Sequence, residues 1–495
     1  MNTGETDEAT DSPSNISQEQ LKKGLHYAVV EIGFAGVMGN IMGGVILTGF
    51  ALALGATDFQ IGILAALPAF TNLMQIHSSY LVERRGGDRR TIMLASVWLG
   101  RNLWIPILFL PFIPLNWISV HVMTIFLVII TLYYISNSIG GLAFLSWLKD
   151  LCPEDMRGRF FARRNFAGGF SGMLAAIGGG AFLDFWVGQF PRHTMLGFAI
   201  LLFVGLVFGW MSNIYIGRIP HPPLFLAKQE EPFLSLLMRP FREENFRQLI
   251  LFRTLLDVSI NIAGPFFAVY MIKKMGLGYT FINTMAAIAG ATSLISMNIW
   301  GRLSDRFGNK PVLAINVIGK AIFPLMWLWT SPETFFLYIV IHSTGVFDSG
   351  LNLTAANILL EVAPREYNSV YIAVFSTVVG AASAVAPILG GVVVHNLSGM
   401  NVDLYLFTLD EYKFIFLLSG VLRFATLPLL KKIHEPEAKE MIHVIRVLWN
   451  VRGLDPLEGF EQALNYLLAP ARFITNKISE IVEIARGENE EESRK

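Results

Sequence analysis

Stretches of about 20 mostly apolar residues, the length an α-helix needs to cross the hydrocarbon of a bilayer, recur along almost the whole chain. They fall near 27–53, 58–80, 91–114, 118–147, 161–187, 193–217, 248–272, 279–300, 311–330, 334–360, 367–395 and 412–430. The runs are continuous and lack the alternation over about ten residues that marks a barrel strand, so helices are expected. A soluble globule is excluded, because 53% of the 495 residues are hydrophobic and only 15% are charged, too few polar groups to coat a globule of this size. The expected class is an all-α integral membrane protein with twelve transmembrane helices.

Charge then sets orientation. Arg84, Arg85, Arg89 and Arg90, then Lys149, Arg157, Arg159, Arg163 and Arg164, then the connector 218–247, then Arg302, Arg306 and Lys310 all fall on one side of the twelve spans. The other side holds little beyond Arg192, Lys273, Lys274 and Lys413. Positive loops stay inside, so both termini are expected in the cytoplasm of a multi-pass protein of the plasma membrane, the inner membrane in a bacterium. Residues 1–24 are acidic and rich in Ser and Thr, unlike a secretory signal, and are expected to be a disordered tail. The connector 218–247 has a Pro content, charge and length unlike any other loop. It divides the chain into six-helix halves over 25–217 and 248–432, and a tail over 433–495 with apolar spacing at Met441, Ile442, Ile445 and Leu448 suits an amphipathic helix on the inner surface.

The halves repeat. LGATDFQIG at 54–62 lies against MGLGYTFIN at 275–283 at an offset of 221, and Asn40, Gly43 and Gly44 meet Asn261, Gly264 and Pro265 at the same offset. Glu83, Arg84 and Gly86 match Asp305, Arg306 and Gly308 at 222, and LGR at 99–101 matches IGK at 318–320. Farther on the offset is 211, where Asp150 and Pro153 meet Glu361 and Pro364, and Gly179-Gly180 meet Gly390-Gly391. Matches in chain order at a near-constant offset are the mark of duplication.

GRLSDRFGNK at 301–310 resembles the G-x-x-x-D-R-x-G-R/K-R/K turn between the second and third helices of major facilitator superfamily transporters, recurring between the eighth and ninth as it does there. The resemblance covers about 27–430. The first copy departs from it: Ser79 stands where Gly is usual, Glu83 replaces Asp, and Gly87-Asp88 are inserted before Arg89. It implies two pseudo-symmetric six-helix bundles around a central cavity lined by spans one, four, seven and ten. It further implies that the turns, with Glu83, Arg84, Gly86, Asp305, Arg306 and Gly308, latch the halves in the outward-open state; topological anchoring is the alternative. Asp150 and Arg157, in the charged turn between spans four and five, are assigned to gating or anchoring.

Ionisable groups within spans are candidates for solute or ion binding, since each costs roughly 2.5–3.5 kcal/mol at a helix centre. Asp348 sits near the middle of span ten with His342 and Asn352 close by, and span four offers Asn137 at the matching place. Asn40 and Asn261 are duplicates on spans one and seven. Asp348 is the expected proton- or cation-responsive group; the alternative is a buried structural acid. Arg101 and Lys320 lie about 15 Å into spans three and nine, where they contact solute, snorkel, or pair with an acid from a neighbouring helix. Tyr133, Tyr134, Phe266, Phe267, Tyr270 and Phe347 offer an aromatic lining. Glycine clusters on spans five and eleven suit close helix approach at the interface between halves. APILGG at 386–391 is similar to the end of the antiporter motif of drug-exporting relatives, which carry it on span five.

No G-x-x-x-x-G-K-S/T loop is present, so ATP is not the expected energy source. No cofactor or metal site is expected, since no histidine pair has ligand spacing and Cys152 is the single cysteine. Zero formal net charge argues against a nucleic-acid partner. The expected function is secondary transport of a small organic solute, coupled to a proton or cation gradient, by a monomer in the lipid bilayer. A transporter-like sensor or assembly factor is the alternative, and no nucleophile-and-base set argues for an enzyme.

Overall fold

The computed structural model describes residues 17–72, 88–113, 116–221, 238–364, 367–435, 438–439 and 441–444. Of the gating candidates, Glu83, Arg84 and Gly86 lie outside the described residues, as do most of the connector and the tail beyond 444.

Nearly everything described is helix. The first half comprises α1 (Gln18–Ile41), α2 (Gly44–Ala53), α3 (Asp58–Asn72), α4 (Arg89–Asn102), α5 (Trp104–Phe109), α6 (Asn116–Leu151), α7 (Arg157–Gln189) and α8 (Thr194–Gly217). The second comprises α9 (Glu244–Asn261), α10 (Gly264–Lys273), α11 (Tyr279–Phe307), α12 (Asn309–Met326), α13 (Phe335–Ser343), α14 (Val346–Val362), α15 (Asn368–Asn396) and α16 (Glu411–Lys432). Ten of the expected spans are long and apolar enough to cross a membrane by themselves. The second span is described only as far as Asn72, and the tenth is broken at Thr344-Gly345, which accounts for the remaining two.

The broken helices follow from local sequence. Spans one and seven both unwind at the repeat-related positions before Gly44 and Gly264-Pro265: Gly44 takes a φ of 51°, a conformation that favours glycine, and Pro265 enters at the first turn of α10, where its missing N–H costs nothing. Chain entry is marked by a capping box, in which Ser17 Oγ accepts from Gln20 N at 3.2 Å and Gln20 Oε1 accepts from Ser17 N at 3.0 Å.

The charged stretch GRLSDRFGNK is less a loop than its composition suggests. Residues 301–307 complete the last turns of α11, Asn309 already begins α12, and Gly308 alone, with a φ of 91°, reverses the chain.

The helix contacts repeat as the sequence does. In the first half α1 packs on α7 and α8, α4 on α6 and α8, and α3 on α6; in the second, α9 packs on α15 and α16, α12 on α14 and α16, and α11 on α14. The halves meet chiefly through α3 against α15 and α7 against α11. Exchanging the halves maps each of those contacts onto the other, as a pseudo-two-fold axis requires. Two features lay beyond the reading of the sequence. A hairpin, β1 (Asn401–Leu404) and β2 (Phe407–Asp410), pairs antiparallel with Asn401 opposite Asp410 between α15 and α16. The first residues after α16 are not a free tail: Glu435 accepts from Asn309 N at 2.7 Å and Lys310 N at 2.6 Å, and Asn245 Nδ2 donates to His434 O at 2.9 Å. The acid that faces the N-terminus of α12 at the charged turn is therefore Glu435, while Asp305 is exposed.

Candidate functional site

Four hydrogen bonds, one of them also an ion pair, join the halves at the end opposite the basic turns. Asp58, at the start of α3, accepts from Lys273 Nζ at 3.0 Å and Tyr412 Oη at 2.8 Å. Asp184, near the end of α7, accepts from the backbone of α11's first residues, Tyr279 N at 2.7 Å and Thr280 N at 2.8 Å. Its carboxylate satisfies two of the four N–H groups that a helix start leaves open, where the helix dipole favours an anion. The expected glycine interface lies here too. A Cβ on Gly180 would come within 2.8 Å of Thr280 N, and one on Gly391 within 2.8 Å of Asp58 O, so these helices touch backbone to backbone.

Beneath this seal, in the second half, Lys320 Nζ on α12 and Asp348 Oδ1 on α14 form an ion pair of 2.7 Å. The pairing alternative for Lys320 is thus the one realised, and it joins two candidates that the sequence had kept apart. The pair is lopsided: the lysine side chain is 11% exposed and the aspartate 46%, so Asp348 is the accessible partner. Arg423 on α16 completes the cluster by donating from Nη1 to Lys320 O at 2.6 Å. The reason is local. Pro324, inside α12, has no N–H to offer the carbonyl four residues back, and a carbonyl left open in a membrane must find another donor. The proline four residues after Lys320 is the signal in the sequence for the partner of Arg423.

Other candidates distribute as follows. Asn352, one turn beyond Asp348, accepts from Arg253 Nη2 at 3.3 Å, and Arg253 Nε pairs with Asp257 at 2.9 Å, making a polar strip along α14 and α9. His342 Nδ1 bonds Tyr338 O at 2.8 Å on α13, against Trp327. Asn40 and Asn261 each donate to the carbonyl four residues back, Gly36 O at 3.0 Å and Asp257 O at 2.8 Å, just where their helices break. Asn137, half-buried on α6, holds the position equivalent to Asp348.

In the first half, Arg101 Nη2 donates to Ser212 Oγ at 2.9 Å, Ser212 Oγ to Glu31 Oε1 at 3.0 Å, and Arg164 Nη2 pairs with Glu31 Oε2 at 3.2 Å. This buried chain ties α4, α8, α1 and α7 together. Arg101 and Lys320 are thus both held by partners, but the acid sits on α1 in one half and on α14 in the other. Phe266 and Tyr270 are fully buried in the apolar core, so they are packing residues and not part of a lining.

At the basic face, Asp150 accepts from Arg89 at 2.5 Å, and Arg157 donates to Lys149 O at 3.2 Å and pairs with Glu154 at 3.4 Å. Arg306 lies over the Phe307 ring at 5.3 Å. These described partners belong to the residues' own halves. Burial, then the Arg89 charge, lowers the pKa of His221, and burial raises that of the Cys152 thiol, leaving it a poor nucleophile. Among the described residues, no group of three His, Cys, Asp or Glu side chains converges as a metal site.

Residues 249–445 match the sequence model of the Major Facilitator Superfamily. The staphyloferrin B transporter of Staphylococcus aureus is 27% identical over 200 residues, 39% of this chain and 45% of that protein. The chain thus spans about half the length of the curated relatives it matches. Fold likeness reaches farther. A variant of the nucleoside transporter NupG superimposes with a TM-score of 0.63 at 11% identity, covering 84% of this chain and 100% of that one. A bacterial homologue of the iron transporter ferroportin, in an inward-facing state, gives 0.60 at 14% identity over 84% and 98% of the two chains. Sequence of the Major Facilitator Superfamily is thus matched through the second half, and the fold of solved transporters is shared over 84% of the chain.

Proposed function

We propose that the protein is a secondary active transporter that moves a small organic solute by alternating access, coupled to a proton or cation gradient. The observation that carries this reading is the seal of polar contacts that joins the halves at the end away from the basic turns. By the positive-inside rule the open side is the cytoplasm. The described structure is then the inward-open member of an alternating pair, and the cytoplasmic turns, including Asp305, Arg306, Gly308, Asp150 and Arg157, engage across the halves in the other member.

Asp348 is the coupling group in this reading. Ionised, it holds Lys320 at 2.7 Å. A proton on its carboxylate cancels the attraction and leaves a buried ammonium beside Arg423, a costly arrangement that a change in helix packing or an incoming solute relieves. In this reading Lys320, Asn352 and Arg253 sense that change and His342, Asn137, Asn40 and Asn261 surround the solute, while Arg101 keeps its buried partners. The names of its relatives, which include transporters of a siderophore and of nucleosides, support a soluble organic cargo.

The test has two stages. A thermal-shift screen of solutes on the purified protein supplies a ligand, and proteoliposome flux is then measured with and without a pH gradient. Asp348→Asn should lose gradient-driven flux, whereas pH-driven uptake equal to wild type rejects the coupling role. Joining Asp58→Cys and Lys273→Cys with a short bis-maleimide, in a Cys152→Ser background, should stop flux; transport that continues with the ends tied rejects alternating access.

A further inference from the structure

We propose that the protein binds one anionic phospholipid on the outside of its first half, with the headgroup in a basic cleft between α1 and α8 and an acyl chain in a groove between α1, α7 and α8. The cleft, about 410 Å³, is lined by Gln20, Lys23, Tyr27, Arg90, Arg218 and Pro220. The groove, about 530 Å³, is lined almost wholly by apolar side chains, among them Val37, Leu174, Phe182, Ile200, Val204 and Phe208. An aromatic ladder joins the two. Tyr27, in the cleft, packs on Tyr215 at 5.9 Å, Tyr215 stacks on Phe34 at 5.5 Å, and Phe34 meets Phe208, in the groove, at 5.8 Å.

Dimensions and charge select the occupant. Ten residues of α1 separate Tyr27 from Val37, about 15 Å at the helical rise, and one leaflet of a bilayer is about 15 Å deep in hydrocarbon. The cleft is at the end of the protein that bears the basic turns, where the headgroups of that leaflet lie. Three cations meet there. Lys23 pairs with exposed Glu19 at 2.6 Å, Arg90 gives Nη2 to Gly217 O at 2.6 Å, and the Arg218 guanidinium lies over Tyr215 at 5.4 Å. Among the described residues three cations and no acid line the cleft, and positive pockets of this kind at the cytoplasmic face suit an anionic headgroup. Recesses in α7 give the groove its depth: a Cβ on Gly178 would find no atom within 4 Å, so a chain can lie there.

The full-length protein, stripped of lipid in detergent, is examined by native mass spectrometry with phosphatidylglycerol, phosphatidylcholine or inorganic phosphate added. Wild type should retain one phosphatidylglycerol in preference to phosphatidylcholine. Lys23→Gln with Arg218→Gln should weaken phosphatidylglycerol retention on the order of thirty-fold, from the usual attraction per basic residue, and leave phosphatidylcholine unchanged. Gly178→Phe, which fills the groove without meeting backbone, should weaken both lipids. Equal retention of the two lipids by wild type, variants that match wild type, or displacement of lipid by inorganic phosphate would each overturn the proposal. The wild-type comparison decides it even if a variant does not fold.

Discussion

Replacing Asp184 by Asn should shift the protein out of its sealed state. In that state the carboxylate accepts from Tyr279 N and Thr280 N at 2.7 and 2.8 Å, and hydrogen bonds to charged groups contribute about 1.5–3 kcal/mol each. An Asn side chain keeps one acceptor, in a neutral bond of about 1 kcal/mol, and turns an amide NH₂ toward the second N–H. The helix-dipole contribution of roughly 0.3–1 kcal/mol is lost with the charge. Asp184 is only half-buried, and water compensates part of the difference, which leaves a net bias of about 2 kcal/mol, or roughly thirty-fold in the ratio of sealed to unsealed forms. Spin labels at the exposed positions Arg192 and Tyr405, one on each half at the sealed end, report the change by double electron–electron resonance in a Cys152→Ser background. A longer distance should gain population in Asp184→Asn. A distribution identical to that of the parent would refute the reasoning that this carboxylate holds the halves together.

Three further outcomes follow from the geometry. Asp348→Ala should lower thermal stability by about 1–3 kcal/mol, because it strands the Lys320 ammonium beside Arg423; adding Lys320→Met should recover most of that loss, and a purely additive double mutant would argue against direct pairing. Glu31→Gln removes the acid shared by Arg164 and, through Ser212, by Arg101 inside the first half and should cost about 3–5 kcal/mol in thermal unfolding, with no effect expected if the two cations were solvated. A chain cut after Lys432 loses the Glu435 carboxylate that caps α12 and should be about 1–2 kcal/mol less stable than one cut after Val444. Equal melting temperatures would place the tail outside the fold.

The positions of the spans, their basic turns and the duplication were legible because each is a local or periodic property. Gly180 and Gly391 were readable as contact points since only a missing side chain lets helices in lipid approach so closely. Asp348 stood out as an acid in an apolar run. The charged turn at 301–310 was recognisable in composition but not in shape, because its polar residues are helical and Gly308 alone reverses the chain.

What the sequence could not disclose is which charge meets which. Lys320 and Asp348, Arg101 and Ser212, and Asp184 and the start of α11 come from helices whose separation along the chain carries no distance. Asp58 and Asp184 became a seal only through the docking of one half on the other. The sequence by itself determined that the chain lies in a bilayer as a doubled set of helices with one basic face, because transfer from water to hydrocarbon acts residue by residue on about 20 neighbours at a time. Tertiary structure decided the partners of the buried charges and the end at which the halves close, because both depend on contacts of about 3 Å between helices that chain order leaves free to pack in more than one way.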